Sequence, residues 1–152
     1  MMRRARPEEA EALRALTERA YADYVPVIGR RPAPMDDDFA ARIAAGGAFV
    51  LERDGAIAAL AILEDAPDHL WIENLAAEPS LHGGGIGRAL LSFVEEEARR
   101  RGFRDVRLCT NERMERNLRI YARAGFVEVE RRKEDGFRRV HMRKALPEQA
   151  GR

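Results

Sequence analysis

A glycine-rich segment, His82-Gly83-Gly84-Gly85-Ile86-Gly87-Arg88, joins an apolar run at residues 69 to 77 to a long amphipathic stretch that stops at Gly102. Glycine adopts backbone conformations that other residues avoid, so four glycines within five positions predict a tight turn. The run before the turn predicts a buried strand, and apolar residues recur at helical spacing after it. Only folds that combine a sheet with helices accommodate this passage.

Turn signals and apolar periodicity divide the rest of the chain. Asp54-Gly55 and Asp135-Gly136 are two-residue hairpin signals. The first part of the chain predicts a helix from Pro7 to Tyr21, a loop imposed by Pro26, Gly29, Pro32 and Pro34, and a short helix capped by Asp36 that ends at Gly46-Gly47. Three antiparallel strands follow at 48 to 53, 56 to 63 and 69 to 77, and then the long helix. The remaining elements are a strand at 106 to 109, a helix at 115 to 124, a strand at 126 to 130, and a last strand through Val140 and Met142. This order, ααβββαβαββ, predicts one α/β (α+β) domain over residues 1–152, with a mixed, mostly antiparallel sheet flanked by helices.

Composition removes several classes of function. The formal charge of +1, from 27 basic and 26 acidic residues, gives no overall field toward nucleic acid or an anionic membrane. Cys109 is the only cysteine, and His69 and His141 lack metal-ligand spacing, so neither an internal disulfide nor a metal site is expected. Without a signal peptide or an apolar span in the sequence, we expect a cytoplasmic protein and no membrane partner.

The glycine segment suits a phosphate, because free amide N–H groups and the positive end of a helix meet there. A tight turn that holds no ligand fits the same glycines. A Walker A loop would need Gly-Lys-Ser/Thr, and the dinucleotide fingerprint would need glycine at Arg88. The segment also imitates a lipase oxyanion loop, but Ser80 and Ser92, the only serines, do not form a nucleophile elbow.

Three motifs in register resemble the GNAT superfamily of N-acetyltransferases. His82, Gly85 and Gly87 align with its Gln/Arg-x-x-Gly-x-Gly/Ala motif, from which His82 departs. Residues 72 to 79 resemble the family's fourth strand, and residues 117 to 126 resemble its Tyr-x-x-x-Gly-Phe signature. Thr110-Asn111-x-x-Met114-x-x-Asn117, with the ending Gly136-Phe137-Arg138-Arg139-Val140, resembles one uncharacterised, bacterial-type branch.

The resemblance implies the GNAT fold and acetyl-CoA as co-substrate. Pantetheine would pair with backbone groups of Leu75 and Ala77 between two splayed strands, and the pyrophosphate would lie over residues 83 to 88. The expected cofactor-binding residues are Leu75, Ala76, Ala77, His82, Gly83, Gly84, Gly85, Ile86, Gly87, Arg88 and Asn117. Asn117 is equally compatible with capping local backbone.

Two residues are candidates for proton transfer. Glu73 stands four residues before Ala77, the spacing of the general base in some members of the family, and strand alternation predicts 73, 75 and 77 on one face. Tyr121 matches the family's general acid. A strand glutamate paired with an arginine, and an aromatic core residue on an amphipathic helix, are the structural alternatives.

The sequence therefore predicts an acetyl-CoA-dependent N-acetyltransferase that acts on a primary amine, small-molecule or peptide, by direct attack. A non-catalytic module that binds acyl-CoA as a signal is the alternative. Nucleic-acid binding through Arg99 to Arg101 and Arg138-Arg139 is a further alternative, but the chain has no basic excess and no aromatic-interleaved recognition pattern. A solvated helix end explains the run from Arg99 to Arg101. A homodimer is expected by analogy with the superfamily only.

Overall fold

The structure, a computed structural model, describes residues 2–147 as one seven-stranded sheet with helices on both faces. The strands are β1 Met2–Arg4, β2 Ala48–Arg53, β3 Ala56–Asp65, β4 Leu70–Ala77, β5 Asp105–Asn111, β6 Val127–Glu134 and β7 Phe137–Ala145, and the helices are α1 Ala10–Tyr21, α2 Tyr24–Ile28, α3 Phe39–Ala44, α4 Ile86–Arg100 and α5 Glu115–Arg123. In the sheet order β1-β2-β3-β4-β5-β7-β6, every neighbouring pair is antiparallel except β4 and β5. The predicted fold class is confirmed.

Each face of the sheet carries its own apolar core. On one face α1 and α3 pack through Leu13, Leu16, Phe39 and Ile43 against Val50, Leu60, Ile62 and Ala76. On the other face α4 packs through Leu91, Val94 and Ala98 against Leu63, Leu70, Ile72, Val106 and Leu108, with α5 covering the same core through partly buried side chains. Both cores extend to β4, which therefore lies at the centre of the molecule.

The hairpin turns lie where the sequence predicts them. Asp54 and Gly55 have φ of +51° and +78°, and Asp135 and Gly136 have +52° and +83°. Two successive positive φ values fit the turn geometry that follows the right-handed twist of the strands, which is why Asp-Gly is favoured there.

Three local predictions are wrong. The edge strand β1, which pairs with β2 through Met2, Arg3 and Arg4, is absent from the predicted order because three residues carry no periodicity. The loop predicted around Pro26 contains α2, where Pro26 falls in the first turn and so removes no intrahelical hydrogen bond. Asp38, not Asp36, caps α3 by accepting from the Ala41 N–H at 3.0 Å.

The strands β4 and β5 separate soon after they meet. Only Leu70, Trp71 and Ile72 of β4 pair with β5, whereas β4 continues to Ala77 alongside β3, and β5 continues to Asn111 alongside β7. The sheet is therefore open between these two strands from residue 73 onward, as the resemblance implies. Within residues 2–147, no helix combines the length and the hydrophobicity needed to cross a membrane.

Candidate functional site

Two clefts meet where β4 and β5 separate. The larger, of about 700 Å³, lies among the end of β4, the glycine segment, α4 and α5, and the smaller, of about 170 Å³, lies over β4, β5 and β7 beside the loop that follows α2. Residues that line both clefts are Tyr21, Leu75, Met114, Asn117 and Tyr121. These five side chains form the boundary between the two volumes.

The backbone of Leu75 and Ala77 faces the opening. The Glu78 N–H donates to the Ala58 carbonyl of β3 at 2.9 Å, so in this antiparallel pair every second residue back from Glu78 bonds to β3. Leu75 and Ala77 are the residues in between, and their N–H and C=O groups point to the edge that β5 has left. The Ala76 side chain, by contrast, is buried in the core beneath α1.

A β-bulge at Glu73 corrects the predicted alternation. Asn74 pairs with Ile62 and Ile72 pairs with Leu63, so Glu73 is the extra residue on β4. Glu73 and Asn74 both contact residues on the α1 and α3 side, whereas Leu75 and Ala77 pack toward α4. The expectation that 73, 75 and 77 share one face is wrong, because a bulge shifts the two-residue period by one.

The glycine segment presents free amide groups at the start of α4. Gly83 and Gly85 have φ of +86° and +81°, and no side chain caps the helix. The first N–H groups of the helix, at Ile86, Gly87 and Arg88, have no intrahelical acceptor. A Cβ atom at Gly87 would meet nothing nearer than Ile120 Cγ2 at 3.8 Å, so packing within the protein does not require glycine there. This open cradle at a positive helix end fits a phosphate.

Four arginines at the larger cleft add positive charge, and motif reasoning identified only Arg88 among them. The cleft is also lined by Arg116, Arg119 and Arg123 of α5, and none of the four forms an ion pair with any residue in the described range 2–147. The signal in the sequence was the spacing of Arg116, Arg119 and Arg123 at one helical turn, which puts them on one side of α5.

His82 contacts one of these arginines. The Arg116 Nη1 atom lies 2.6 Å from His82 Nδ1. Desolvation and the nearby guanidinium of Arg116 lower the pKa of His82, so the imidazole is neutral at pH 7 and accepts this hydrogen bond. The residue that departs from the family pattern is thus a neutral group that orients Arg116 at the cleft.

Glu73 lies in the smaller cleft only. Its Oε2 accepts from Trp71 Nε1 at 2.7 Å, and its Oε1 lies 3.6 Å from Arg42 Nη2. The side chain keeps 34% exposure, so its carboxylate is held from one side and open to the cleft on the other. Both interpretations of Glu73 from the sequence apply, since it pairs with an arginine and also faces the opening.

Tyr121 is half-buried at the boundary between the clefts. Its ring packs edge-on against that of Phe126, with 5.9 Å between the ring centres. Its hydroxyl makes no hydrogen bond to the described part of the chain. Burial, with smaller contributions from Cys109 and Tyr24, raises the pKa of the phenol, which is therefore protonated at neutral pH. Such a group can donate a proton into either cleft.

The other polar residues of the boundary differ in whether their side chains already form hydrogen bonds within the protein. The Asn117 amide lines both clefts and has no hydrogen-bond partner among residues 2–147. Asn74 accepts from Tyr21 Oη at 3.0 Å and donates to Thr17 Oγ1 at 3.2 Å, in a buried network that fixes the bulge. Tyr21 is therefore occupied internally, whereas Asn117 is available to a ligand. The same described range holds no group of three or more His, Cys, Asp or Glu side chains suited to a metal ion.

Sequence comparison identifies one family. The profile of the acetyltransferase (GNAT) family matches residues 11–126, which include β4, the glycine segment, α4 and α5. A search of curated protein sequences finds no match.

Solved structures with the same fold cover almost the whole chain. A GNAT-family acetyltransferase from Streptococcus agalactiae superposes with a TM-score of 0.82 at 20% identity, covering 97% of this chain and 96% of that one. The PaiA N-acetyltransferase from Thermoplasma acidophilum, in complex with coenzyme A, gives 0.81 at 15% identity and covers 96% and 98%. YncA from Salmonella typhimurium, a putative acetyltransferase with its cofactor acetyl-CoA, gives 0.75 at 21% identity and covers 100% and 96%.

Proposed function

Because this chain belongs to the acetyltransferase (GNAT) family, we propose that it is an N-acetyltransferase that moves an acetyl group from acetyl-CoA to a primary amine by direct attack. One observation carries the proposal: the cleft with the phosphate cradle and the cleft that the Glu73 carboxylate lines meet at a boundary that includes Tyr121. A donor and an acceptor bound on the two sides would reach each other only there.

The larger cleft fits coenzyme A by its chemistry. The amides at the start of α4 and the unpaired arginines suit the phosphates, and the open backbone edge at Leu75 and Ala77 suits the amide groups of pantetheine. Asn117 offers one further donor and acceptor along the same path. In the structure of the Thermoplasma acidophilum protein, which shares the fold, coenzyme A is bound.

Bound acetyl-CoA supplies a thioester whose carbonyl carbon accepts the amine nitrogen. An alkyl amine with a pKa of about 10.4 is almost entirely protonated at pH 7, so the Glu73 carboxylate takes the proton, directly or through one water. The Leu75 N–H donates to the carbonyl oxygen as negative charge develops on it. When the C–S bond breaks, the Tyr121 hydroxyl donates a proton to the departing sulfur.

The proposal describes a single catalytic domain that acts in the cytoplasm on a small-molecule or peptide amine, without nucleic acid, membrane or metal. The resemblance of residues 110 to 117 to one bacterial-type branch of the superfamily is part of the same proposal. In the structure, Thr110 Oγ1 lies 3.5 Å from Met114 Sδ at the turn into α5. A homodimer stays a prediction.

Calorimetric titration with acetyl-CoA, followed by thiol-release assays over a panel of amines, tests the proposal. We expect binding at one site per chain, and turnover with at least one amine class. Binding without turnover over a broad panel of amino acids, polyamines, aminoglycosides and peptides would favour a non-catalytic acyl-CoA sensor. No binding would contradict the proposal as a whole.

A further inference from the structure

The smaller cleft contains one acidic and one basic side chain, Glu73 on β4 and Arg139 on β7, among otherwise neutral residues. Cys109 lies between them on β5, where burial raises the pKa of its thiol to about 11, so it adds no charge at neutral pH. The rest of the wall includes apolar groups, namely Ile28, Pro32, Ala33, Pro34, Trp71 and Phe137. A ligand of this cleft meets one charge of each sign and an apolar surface.

Within residues 2–147, no carboxylate oxygen lies closer than 3.6 Å to the Arg139 guanidinium. Its side chain is only 19% exposed, yet its nearest carboxylate oxygens are Asp135 Oδ2 at 3.6 Å and Glu134 Oε1 at 3.9 Å, and it donates no hydrogen bond to the described residues. Asp135 is 86% exposed, so solvent screens its attraction. Glu134 is engaged elsewhere, because the same Oε1 lies 2.7 Å from His141 Nε2.

The position of Arg139 is fixed although its donors are free. Its guanidinium carbon lies 5.0 Å from the centre of the Phe137 ring, and Arg30 covers that ring at 4.0 Å while donating to the Asp135 carbonyl at 3.1 Å. An oriented guanidinium with unused N–H groups matches the two oxygens of a carboxylate. In the sheet order β5, which carries Cys109, is the one strand between β4 and β7, so Glu73 and Arg139 line opposite sides of the same cleft.

We propose that the acceptor is a small amine that also carries a carboxylate, of the class of free amino acids with an apolar side chain. The carboxylate pairs with Arg139, the apolar side chain contacts Trp71 and Phe137, and the amine lies at Glu73. This inference rests on the proposed function: the ammonium gives one proton to Glu73, the amine nitrogen forms a bond to the acetyl carbon, the C–S bond breaks, and Tyr121 gives a proton to sulfur. The second proton that the nitrogen loses on becoming an amide restores the Tyr121 hydroxyl. Arg139 is in this scheme a specificity-determining residue.

Matched acceptors test it on the wild-type protein. Thiol release is measured with L-phenylalanine and L-methionine, and with L-phenylalaninamide and L-methioninamide, which keep the amine and lose the carboxylate. We expect the acids to exceed the amides about 10- to 100-fold in kcat/KM, the effect of one charge-assisted pair. An α-amino group next to an amide deprotonates at lower pH, so amine reactivity alone would favour the amides, opposite to this expectation.

Variants assign the effect to Arg139. In Arg139→Met the ratio of kcat/KM for acids to that for amides should fall to about one, while the affinity for acetyl-CoA, whose proposed site is the other cleft, stays unchanged. Arg138→Met, whose side chain is exposed and outside the cleft, is the matched control and should keep the preference. If Arg139→Met does not fold, the wild-type comparison decides alone.

The outcomes separate the inference from the function it rests on. Equal or faster turnover of the amides, or turnover confined to amines without a carboxylate such as spermidine, overturns the inference and leaves the acetyltransferase intact. A preference for acids that survives in Arg139→Met also overturns the assignment of Arg139. Failure to bind acetyl-CoA contradicts the proposed function, and the inference falls with it.

Discussion

Tyr121 is a residue whose environment favours one protonation state. Its ring packs against Phe126, and its hydroxyl, which has no hydrogen-bond partner in the described range, stays protonated at neutral pH and faces both clefts. We expect Tyr121→Phe to bind acetyl-CoA with unchanged affinity and to lose on the order of 100-fold in turnover, because only the proton donor is removed. Calorimetry gives the affinity and thiol release gives the rate. An unchanged rate would remove Tyr121 from the mechanism.

In the proposed mechanism Glu73 takes the proton of the amine. We expect Glu73→Gln to lower the rate at pH 7 by on the order of 100-fold, and to regain rate as the pH rises toward the pKa of the amine, since less base is then needed. A pH profile of kcat/KM for both proteins measures this. Glu64→Gln is the control, because Glu64 also pairs with Arg42, at 2.7 Å, but lies outside both clefts. A rate near zero at every pH would show that base catalysis alone cannot explain the role of Glu73.

Sequence motifs indicated some of the candidate site residues and missed others for a physical reason. The glycine segment was a candidate from its residue types and its place before a helix, and Glu73 and Tyr121 were candidates through the resemblance to the GNAT superfamily. Arg139 was not, because its significance depends on the absence of a close partner, which only packing shows. The arginines of α5 needed the helix to be placed beside the glycine segment before they formed one charged surface.

At the scale of elements, a substitution at the start of α4 should affect the folding stability and the affinity for acetyl-CoA in different ways. Gly87 has room for a methyl group, with Ile120 Cγ2 at 3.8 Å from a Cβ atom, and alanine favours a helix over glycine. We therefore expect Gly87→Ala to keep or raise the melting temperature but to weaken acetyl-CoA binding at least about 10-fold, because the methyl group would occupy the phosphate cradle. Thermal unfolding and calorimetry measure the two effects.

The opposite substitution on the same helix is the control for Gly87. Ala89 is exposed and does not line the cleft, so Ala89→Gly should lower stability by about 0.5–1 kcal/mol and leave the affinity unchanged. Unaltered acetyl-CoA affinity in Gly87→Ala would place the ligand elsewhere on the segment.

Elements were predictable to the degree that their signals are local. The Asp-Gly hairpins and the amphipathic α4 carry their own patterns, and they lie where expected. The strand β1 exists only because β2 offers an edge, and the bulge at Glu73 is held by Asn74, Tyr21 and Thr17 from distant parts of the chain. Such features depend on tertiary contacts. The two-residue periodicity of the sequence therefore predicts where β4 lies along the chain, but it predicts wrongly which side chains share a face of the sheet.

At the scale of the whole molecule, the open sheet and its two cores produce one geometry. Helices α1 and α3 support β4 from one side and α4 supports it from the other, while β5 turns away with β7. The gap between β4 and β5 therefore exposes backbone groups in the interior without leaving the strand unsupported. Both clefts open from this gap, and the residues at their boundary belong to α1, β4, α5 and the position just before α5.

The free energy of unfolding should depend on pH through the N-terminal strand that completes this sheet. The two terminal nitrogens of Arg3, Nη1 and Nη2, donate hydrogen bonds to Glu9 at 2.9 and 2.8 Å, and Nη2 also donates to Glu52 at 2.7 Å. The backbone N–H of Arg6 donates to Glu9 at 2.7 Å. The bond from Arg3 chiefly, and that from Arg6, lower the pKa of Glu9 from 4.5 to about 2. Glu9 therefore links β1 to the beginning of α1.

A depressed pKa in the folded state stabilises the protein above the unfolded value, and this stability is lost as the pH falls from about 4.5 through about 2. We expect Glu9→Gln to unfold more easily at pH 7 by about 2 to 3 kcal/mol, and the difference from wild type to shrink steadily over that window. Urea unfolding at a series of pH values measures it. Glu8→Gln is the control, because Glu8 is exposed and forms no ion pair within residues 2–147. A difference that persists undiminished at pH 2 would show that Glu9 acts through packing and not through its charge.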